Sequence, residues 1–377
     1  MSDRHLHIVA FDVPFPPNYG GVIDVFYKIR ALHREGIRLH LHIIEYPGRG
    51  RAPELDPYCE EVFYYSRKTG LRSAFSFIPY IVKSRESEEL MANLLKDDYP
   101  VLFEGMHSCY YIDDPRLSGR LLIYRESNIE HDYYLNLFKA ERHIGKKAYF
   151  LVESLKLRLF QRKLKHAGCM LVVSESDTAY LKRRFPRHDI RYLPSFHAND
   201  GLNIPEGSGT YSLYHGNIEV PENEAAAEFL IRKVFAGCKH RLIIAGMNPP
   251  KRIVDLAARY DNIDVRSNPG DEELFELIRN AHANVLVTFQ ATGLKLKLLN
   301  TLFNGRHCIV NSQMLSGTGL ESLCHIAESA ADIRKKLNEI QDIPFKEDEM
   351  EKRQKILNRT YSNSGNADRL IEAVFGK

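Results

Sequence analysis

Residues 7–46 read HIVAFDVPFPPNYGGVIDVFYKIRALHREGIRLHLHIIEY. An apolar run over 7–13 leads into a Pro/Gly loop. An amphipathic stretch from Val22 to about Arg34 follows, closed by Gly36, and a second apolar run covers 38–46. Short apolar runs bounded by turn residues read as strands, and the 3.6-residue spacing between them reads as a helix. Strand, helix and strand make a βαβ unit, the building block of a parallel sheet covered by helices. Working outward, VLFEG (101–105), RLLIYRES (120–127) and CMLVVSES (169–176) extend the same sheet, with two long helices expected over about 129–142 and 145–166.

The small, polar, Gly-rich segment 198–210 reads as a linker. A second alternation follows it. Strands are expected at 212–217, 241–247, 262–267, 284–289 and 308–312, with helices at 222–235, 250–260 and 271–281 between them. The expected fold is therefore α/β, with two doubly wound, Rossmann-like domains facing each other across a cleft. The boundaries are 1–200, 201–345 and a helical tail, 346–377, that packs back toward the first domain. The tail holds two helical segments, 347–358 and 364–375.

A length of 377 residues suits two domains, and 44% hydrophobic with 27% charged residues suits sizeable cores. A formal charge of +3 argues against nucleic acid as a partner. Six cysteines are scattered without a C-x-x-C pair, which points to a reduced, cytoplasmic setting rather than a disulfide frame or metal site. No apolar run approaches the roughly 20 residues that span a bilayer.

Ligands of such sheets bind beyond the carboxyl ends of the strands, so the strand ends hold the candidates. Gly20 and Gly21 follow the first strand; they either let backbone N–H groups approach a diphosphate or make a turn of positive φ. Glu104 and His107 follow VLF, where a histidine can bond a sugar hydroxyl or exchange a proton near neutral pH. Arg125, Glu126, Asn128 and His131 leave a strand and enter a helix, either as a cap or as a wall that orients hydroxyl groups. The basic run from Lys139 to Lys165, interleaved with apolar residues, is either a solvated helix face or a surface for an anionic membrane.

The remaining candidate is TFQATGLKLKLLNTLFNGRHCIVNS (288–312). Gly293 precedes Leu294, Leu298, Leu299, Leu302 and Phe303, a helical spacing, and Gly305 suits the closing cap. Lys295 and Lys297 stand at the helix start, where N–H groups already favour an anion. They either bind a phosphate or are solvated helix residues. Two positions apart on a helix they point roughly 200° from each other, so one of them at most serves as a ligand unless the helix begins after Lys295.

Together these segments resemble glycosyltransferases of the GT-B fold, in particular retaining family 4. The opening pattern is matched by Pro14, Pro17, Gly20, Gly21 and Leu32. The block Asn128-Ile129-Glu130-His131-x-Tyr133-Tyr134, then Glu153-Ser154-x-Lys156-Leu157 and Ser174-Glu175-x-Asp177, is similar to a subgroup with H-N-x-E-H-x-Y-Y, E-S-x-K-L and S-E-x-D. His215-Gly216-Asn217 and Pro221-Glu222-Asn223 resemble the same subgroup's entry into its second domain.

The resemblance implies transfer of a hexose from a nucleoside diphosphate sugar to a glycan or lipid-linked acceptor, as in polysaccharide assembly. No cofactor and no metal are implied. Gly216, Asn217, Thr292, Gly293, Leu294, Lys295, Lys297 and Asn300 would hold the donor, with Gly20 and Gly21. His107 matches the family's first-domain histidine that contacts the donor sugar, and Glu104, Arg125, Glu126, Asn128 and His131 would face the acceptor. Two family glutamates eight positions apart align with Thr292 and Asn300, and Asn217 and Glu222 stand where an Arg and a Lys are expected. Lys295 and Lys297 would then supply the relocated positive charge. The lost carboxylates also leave room for a non-catalytic binding or scaffold subunit, and the same fold serves nucleotide-sugar epimerases. The implied location is cytoplasmic, with a peripheral contact at the inner face of the membrane through 139–165.

Overall fold

The structure, a computed structural model, describes residues 4–46, 48–70, 73, 75–141, 143–289 and 296–376. The chain divides into two compact units, one of Met1–His197 with Asn363–Lys377, the other of Ala198–Ser362.

The first unit is a seven-stranded sheet in the order β3-β2-β1-β4-β5-β6-β7. Its strands are β1 (His5–Ala10), β2 (Arg38–Glu45), β3 (Glu61–Ser66), β4 (Val101–Glu104), β5 (Leu122–Glu126), β6 (Cys169–Val172) and β7 (Asp189–Tyr192). Every pairing is parallel. Order reverses between β1 and β4, so the crevice for a ligand opens at their carboxyl ends. The helix Gly20–Arg34 buries Val22, Val25, Ile29 and Leu32, one apolar stripe, in a core that also contains Leu370 and Val374 of the helix Asn363–Phe375.

The second unit is a six-stranded parallel sheet, β10-β9-β8-β11-β12-β13. It comprises β8 (Ser212–Asn217), β9 (Leu242–Met247), β10 (Ile263–Ser267), β11 (Ala283–Leu286), β12 (His307–Val310) and β13 (His325–Ile326). Two parallel α/β sheets are the architecture expected from the alternating sequence. The strands left unread, β3, β7 and β13, are the edge of a sheet in each case. The Gly-rich segment 198–210 lies in the second unit, where Asn203 N donates to Phe303 O at 2.8 Å and Gly207 pairs with Phe345.

Two features of the first sheet bear on stability. Period-two alternation places His5 and His7 of β1 on the same face as His40 and His42 of β2. His7 Nδ1 lies 2.7 Å from His42 Nε2, His7 Nε2 lies 2.9 Å from Asp97 Oδ1, and His42 Nδ1 lies 2.8 Å from the Tyr65 hydroxyl. Elsewhere, Lys28 is wholly buried and donates to Asp24 at 2.9 Å and to Glu104 at 2.6 Å, while Arg125 donates to both oxygens of Asp24 at 3.2 Å.

Candidate functional site

In the first unit the β1 end runs through Phe11 and Asp12 into the loop before Gly20. Arg49 pins that loop by donating to Asn18 Oδ1 (2.8 Å) and Pro16 O (2.6 Å), and the Tyr19 hydroxyl donates to Asp12 Oδ2 at 2.6 Å. Gly20 opens the helix, and neither Gly20 nor Gly21 has a positive φ. At Gly21 a Cβ would lie 2.7 Å from the end of the Phe11 ring, so close packing accounts for that glycine.

Gly105 does have a positive φ, +67°, and turns the chain from β4 into the short helix Met106–Tyr111. That turn brings His107 against Phe11, ring centroids 5.3 Å apart. The His107 side chain is 23% exposed, but its Nδ1 is buried and without a hydrogen-bond partner among the described residues. Glu130, the first residue of the helix Glu130–Ala140, places Oε1 3.9 Å from that nitrogen. Burial pushes the Glu130 carboxyl up to about 7, opposed only by the charge of Arg85. Burial, then Arg85 and Arg67, hold His107 well below its ordinary range, so the imidazole is neutral at pH 7.

The other first-unit candidates are engaged inward. Glu104 and Arg125 belong to the buried network with Asp24 and Lys28, and Arg125 also donates to the carbonyls of Leu193 (2.6 Å) and Pro194 (3.1 Å). Glu126 accepts from the Tyr124 hydroxyl at 2.5 Å and from Asn128 N at 3.0 Å, and burial raises its pKa well above the carboxylate range. His131 is buried against Tyr180, and its carbonyl accepts from Ser154 Oγ at 2.7 Å. Asn128 is half-buried. The Glu153-Ser154 motif is likewise a tie within the unit, with Glu153 accepting from Tyr80 N (2.6 Å) and Lys156 (2.8 Å).

In the second unit the end of β8 is the focus. A Cβ at Gly246 would fall 1.8 Å from Gly216 O, so the two neighbouring strands approach as only glycine permits. His215 is buried, faces Thr301 Oγ1 at 3.0 Å, and is lowered to about 3 by burial and then by Lys297. Asn223 gathers the rest. Its Nδ2 donates to Asn217 O (2.8 Å), and its Oδ1 accepts from Lys297 Nζ (2.8 Å), which lies 5.2 Å from the Tyr214 ring centroid. Glu222 accepts from the Thr288 hydroxyl. Thus Gly216, Asn217 and Lys297 come together around Asn223.

Lys297 sits in the first turn of the helix Leu296–Asn304. Asn300, one turn on, accepts from Asn199 Nδ2 at 3.0 Å. Thr292, Gly293, Leu294 and Lys295 lie outside the described residues. Among the described residues no set of three His, Cys, Asp or Glu side chains is placed to hold a metal ion.

Glu130, Arg85 and Asn223 were not singled out from sequence. Glu130 and Asn223 stood inside quoted motifs without a role, and Arg85 carries no local signal at all.

The fold is that of the GT-B glycosyltransferases. The chain is similar over 99% of its length to a glycosyltransferase from Rickettsia africae, 98% of which is covered, with TM-score 0.66 and 12% identity. It is likewise similar to WaaG, a glycosyltransferase involved in lipopolysaccharide biosynthesis, with TM-score 0.63, 13% identity and coverage of 99% and 100%. In sequence it is 27% identical over 335 residues to an uncharacterized 44.6 kDa protein in the cps region of Klebsiella pneumoniae, covering 83% of this chain and 84% of that protein. No family model matches the chain.

Proposed function

We propose that the protein is a glycosyltransferase that moves a hexose from a nucleoside diphosphate sugar to a glycan or lipid-linked acceptor, with retention and without a metal. The observation that carries this reading is the Lys297–Asn223–Asn217 constellation at the carboxyl end of β8, in a fold shared with glycosyltransferases along almost the whole chain. Lys297 and the helix start neutralise the diphosphate as it leaves. In the first unit His107, neutral and beside Glu130, is the group that bonds a sugar hydroxyl. WaaG's role in lipopolysaccharide biosynthesis favours an acceptor of the same general kind. The test is a thermal-shift panel of nucleotide sugars, followed by product analysis in chelator. A donor that raises the midpoint and is consumed only with acceptor supports transfer, and consumption of donor alone indicates an epimerase.

Asn300 favours a second reading. Its side-chain oxygen is committed to Asn199, and a position expected to hold ribose is thereby drawn into the unit's own packing. A binding subunit without turnover would show tight donor binding and no transfer to any acceptor or to water.

The helix Ile144–Phe160 supports the membrane part of the reading. Ile144 (84% exposed), Val152, Leu155 and Leu159 form one outward stripe, and Phe75 (83%) and Phe77 (99%) are also bare. Lys147 and Arg158 border the stripe, which suits an anionic bilayer at the cytoplasmic face. Among the described residues no helix is long and apolar enough to cross a membrane. Sedimentation with anionic vesicles is expected, and Leu155→Glu with Leu159→Glu abolishes it. Equal recovery with neutral vesicles removes the contact.

A further inference from the structure

Arg85 is 4% exposed, yet among the described residues no carboxylate lies within ion-pair distance of it. Its Nε donates to Phe11 O at 3.0 Å and its Nη1 to Ile81 O at 2.5 Å, both neutral acceptors. Arg67 is similar. Its Nε donates to Ser84 Oγ at 2.9 Å, and its guanidinium lies over the rings of Tyr46 (4.7 Å) and Tyr80 (5.3 Å). Desolvating a guanidinium without a counter-charge is unfavourable, and an anionic ligand beside Arg85 would supply that charge.

The surroundings do not supply that anion. Asp12 is a neighbouring negative charge of Arg85, and it is engaged by Val13 N (2.8 Å), the Tyr19 hydroxyl and Arg49 (3.9 Å). Glu130 is held partly protonated by burial. Burial, joined by the neighbouring charge of Arg67, lowers Arg85 to about 10, so it remains cationic at pH 7. Arg85 and His107 flank the same residue, Phe11, one through its carbonyl and the other through its ring.

We propose that Arg85 and Arg67 form a subsite for a phosphoryl group carried by the acceptor, next to the His107–Glu130 pair. This rests on reading the carboxyl end of the first sheet as the acceptor side. Two planar guanidinium groups match a dianionic phosphoryl group in charge and in the geometry of paired N–H donors. The acceptor is then a sugar phosphate or a lipid-linked glycosyl diphosphate rather than a neutral glycan.

The test is calorimetric titration of the full chain with inorganic phosphate, a hexose 1-phosphate, a prenyl diphosphate and glucuronate. Phosphate and at least one phosphorylated compound bind the wild type, and affinity falls tenfold or more in Arg67→Gln and in Arg85→Lys. If Arg85→Lys does not fold, Arg67→Gln decides alone. Binding of the hexose phosphate identifies a soluble acceptor, and binding of the prenyl diphosphate alone identifies a lipid-linked one; either supports the subsite. No phosphate binding, glucuronate binding as tight as hexose phosphate, or phosphate binding lost in Lys297→Ala but kept in Arg67→Gln overturns it. Failure of every nucleotide sugar to bind, with the phosphate result intact, counts against the transferase reading and not against the subsite.

Discussion

Glu130 Oε1 lies 3.9 Å from His107 Nδ1, and neither residue is neutralised by a close ion pair. The distance is too long for a hydrogen bond, and a small side-chain rotation closes it. Burial lifts the carboxyl to about 7, so near neutral pH it changes between a donor and an acceptor toward the imidazole. The pH profile of kcat/KM is expected to show an ionisation near 7. Glu130→Gln abolishes that limb with little effect on the melting midpoint. A profile with the limb intact in Glu130→Gln refutes the assignment.

Lys297 is expected to dominate donor affinity in the second unit. A charge-assisted hydrogen bond to a phosphate contributes about 1.5–3 kcal/mol. Lys297→Ala therefore weakens donor binding by roughly 10- to 100-fold, whereas Asn223→Ala, which only orients the ammonium, has a smaller effect. Calorimetry with a binding nucleotide sugar measures both.

The buried ion network in the first unit is sensitive to losing one member. Burial raises the Asp24 carboxyl, and Arg125 and Lys28 more than offset it, bringing the pKa down to about 2. Asp24→Ala leaves two cations buried and is expected to cost about 3–5 kcal/mol, read from the urea midpoint. A change within experimental error would show that the network relaxes into solvent.

Acid weakens the first sheet through its histidines. Burial lowers His7 to about 4 in spite of Asp97, and lowers His42 well below the usual value. An unfolded histidine binds its proton near pH 6.5, so the unfolded state holds more protons between the two values. The stability is present above pH 6.5 and lost as pH falls toward 4, about 3 kcal/mol for His7 alone. Urea midpoints at pH 7, 5.5 and 4.5 are expected to decline, and His7→Gln flattens the decline.

The central strands were legible because both faces of a parallel sheet are covered, which writes them as apolar runs such as HIVA and CMLV. The edge strands Glu61–Ser66 and Asp189–Tyr192 are half-open, and the charged Asp189 and Arg191 deny the second the apolar run that marks a covered strand. His107 was found because it follows a strand end. Glu130 was not, since an acid in the first turn of a helix already has an ordinary explanation in the helix dipole. Its raised pKa comes from burial, a property of the tertiary packing, against the opposing charge of Arg85 far away in sequence. Arg125 looked open to ligand for the same reason: the groups that bury it, Asp24 and the 193–194 carbonyls, are long-range partners.

The helix Asn363–Phe375 closes the first unit although it is made after the second, and the second unit is one uninterrupted stretch of chain. During synthesis the second unit can therefore finish folding first, while the helix Gly20–Arg34 waits for its cover. A ribosome that stalls or terminates before residue 363 would release a chain whose late half is sound and whose early half is not. Quality control would then be drawn to the end of the protein that was translated first.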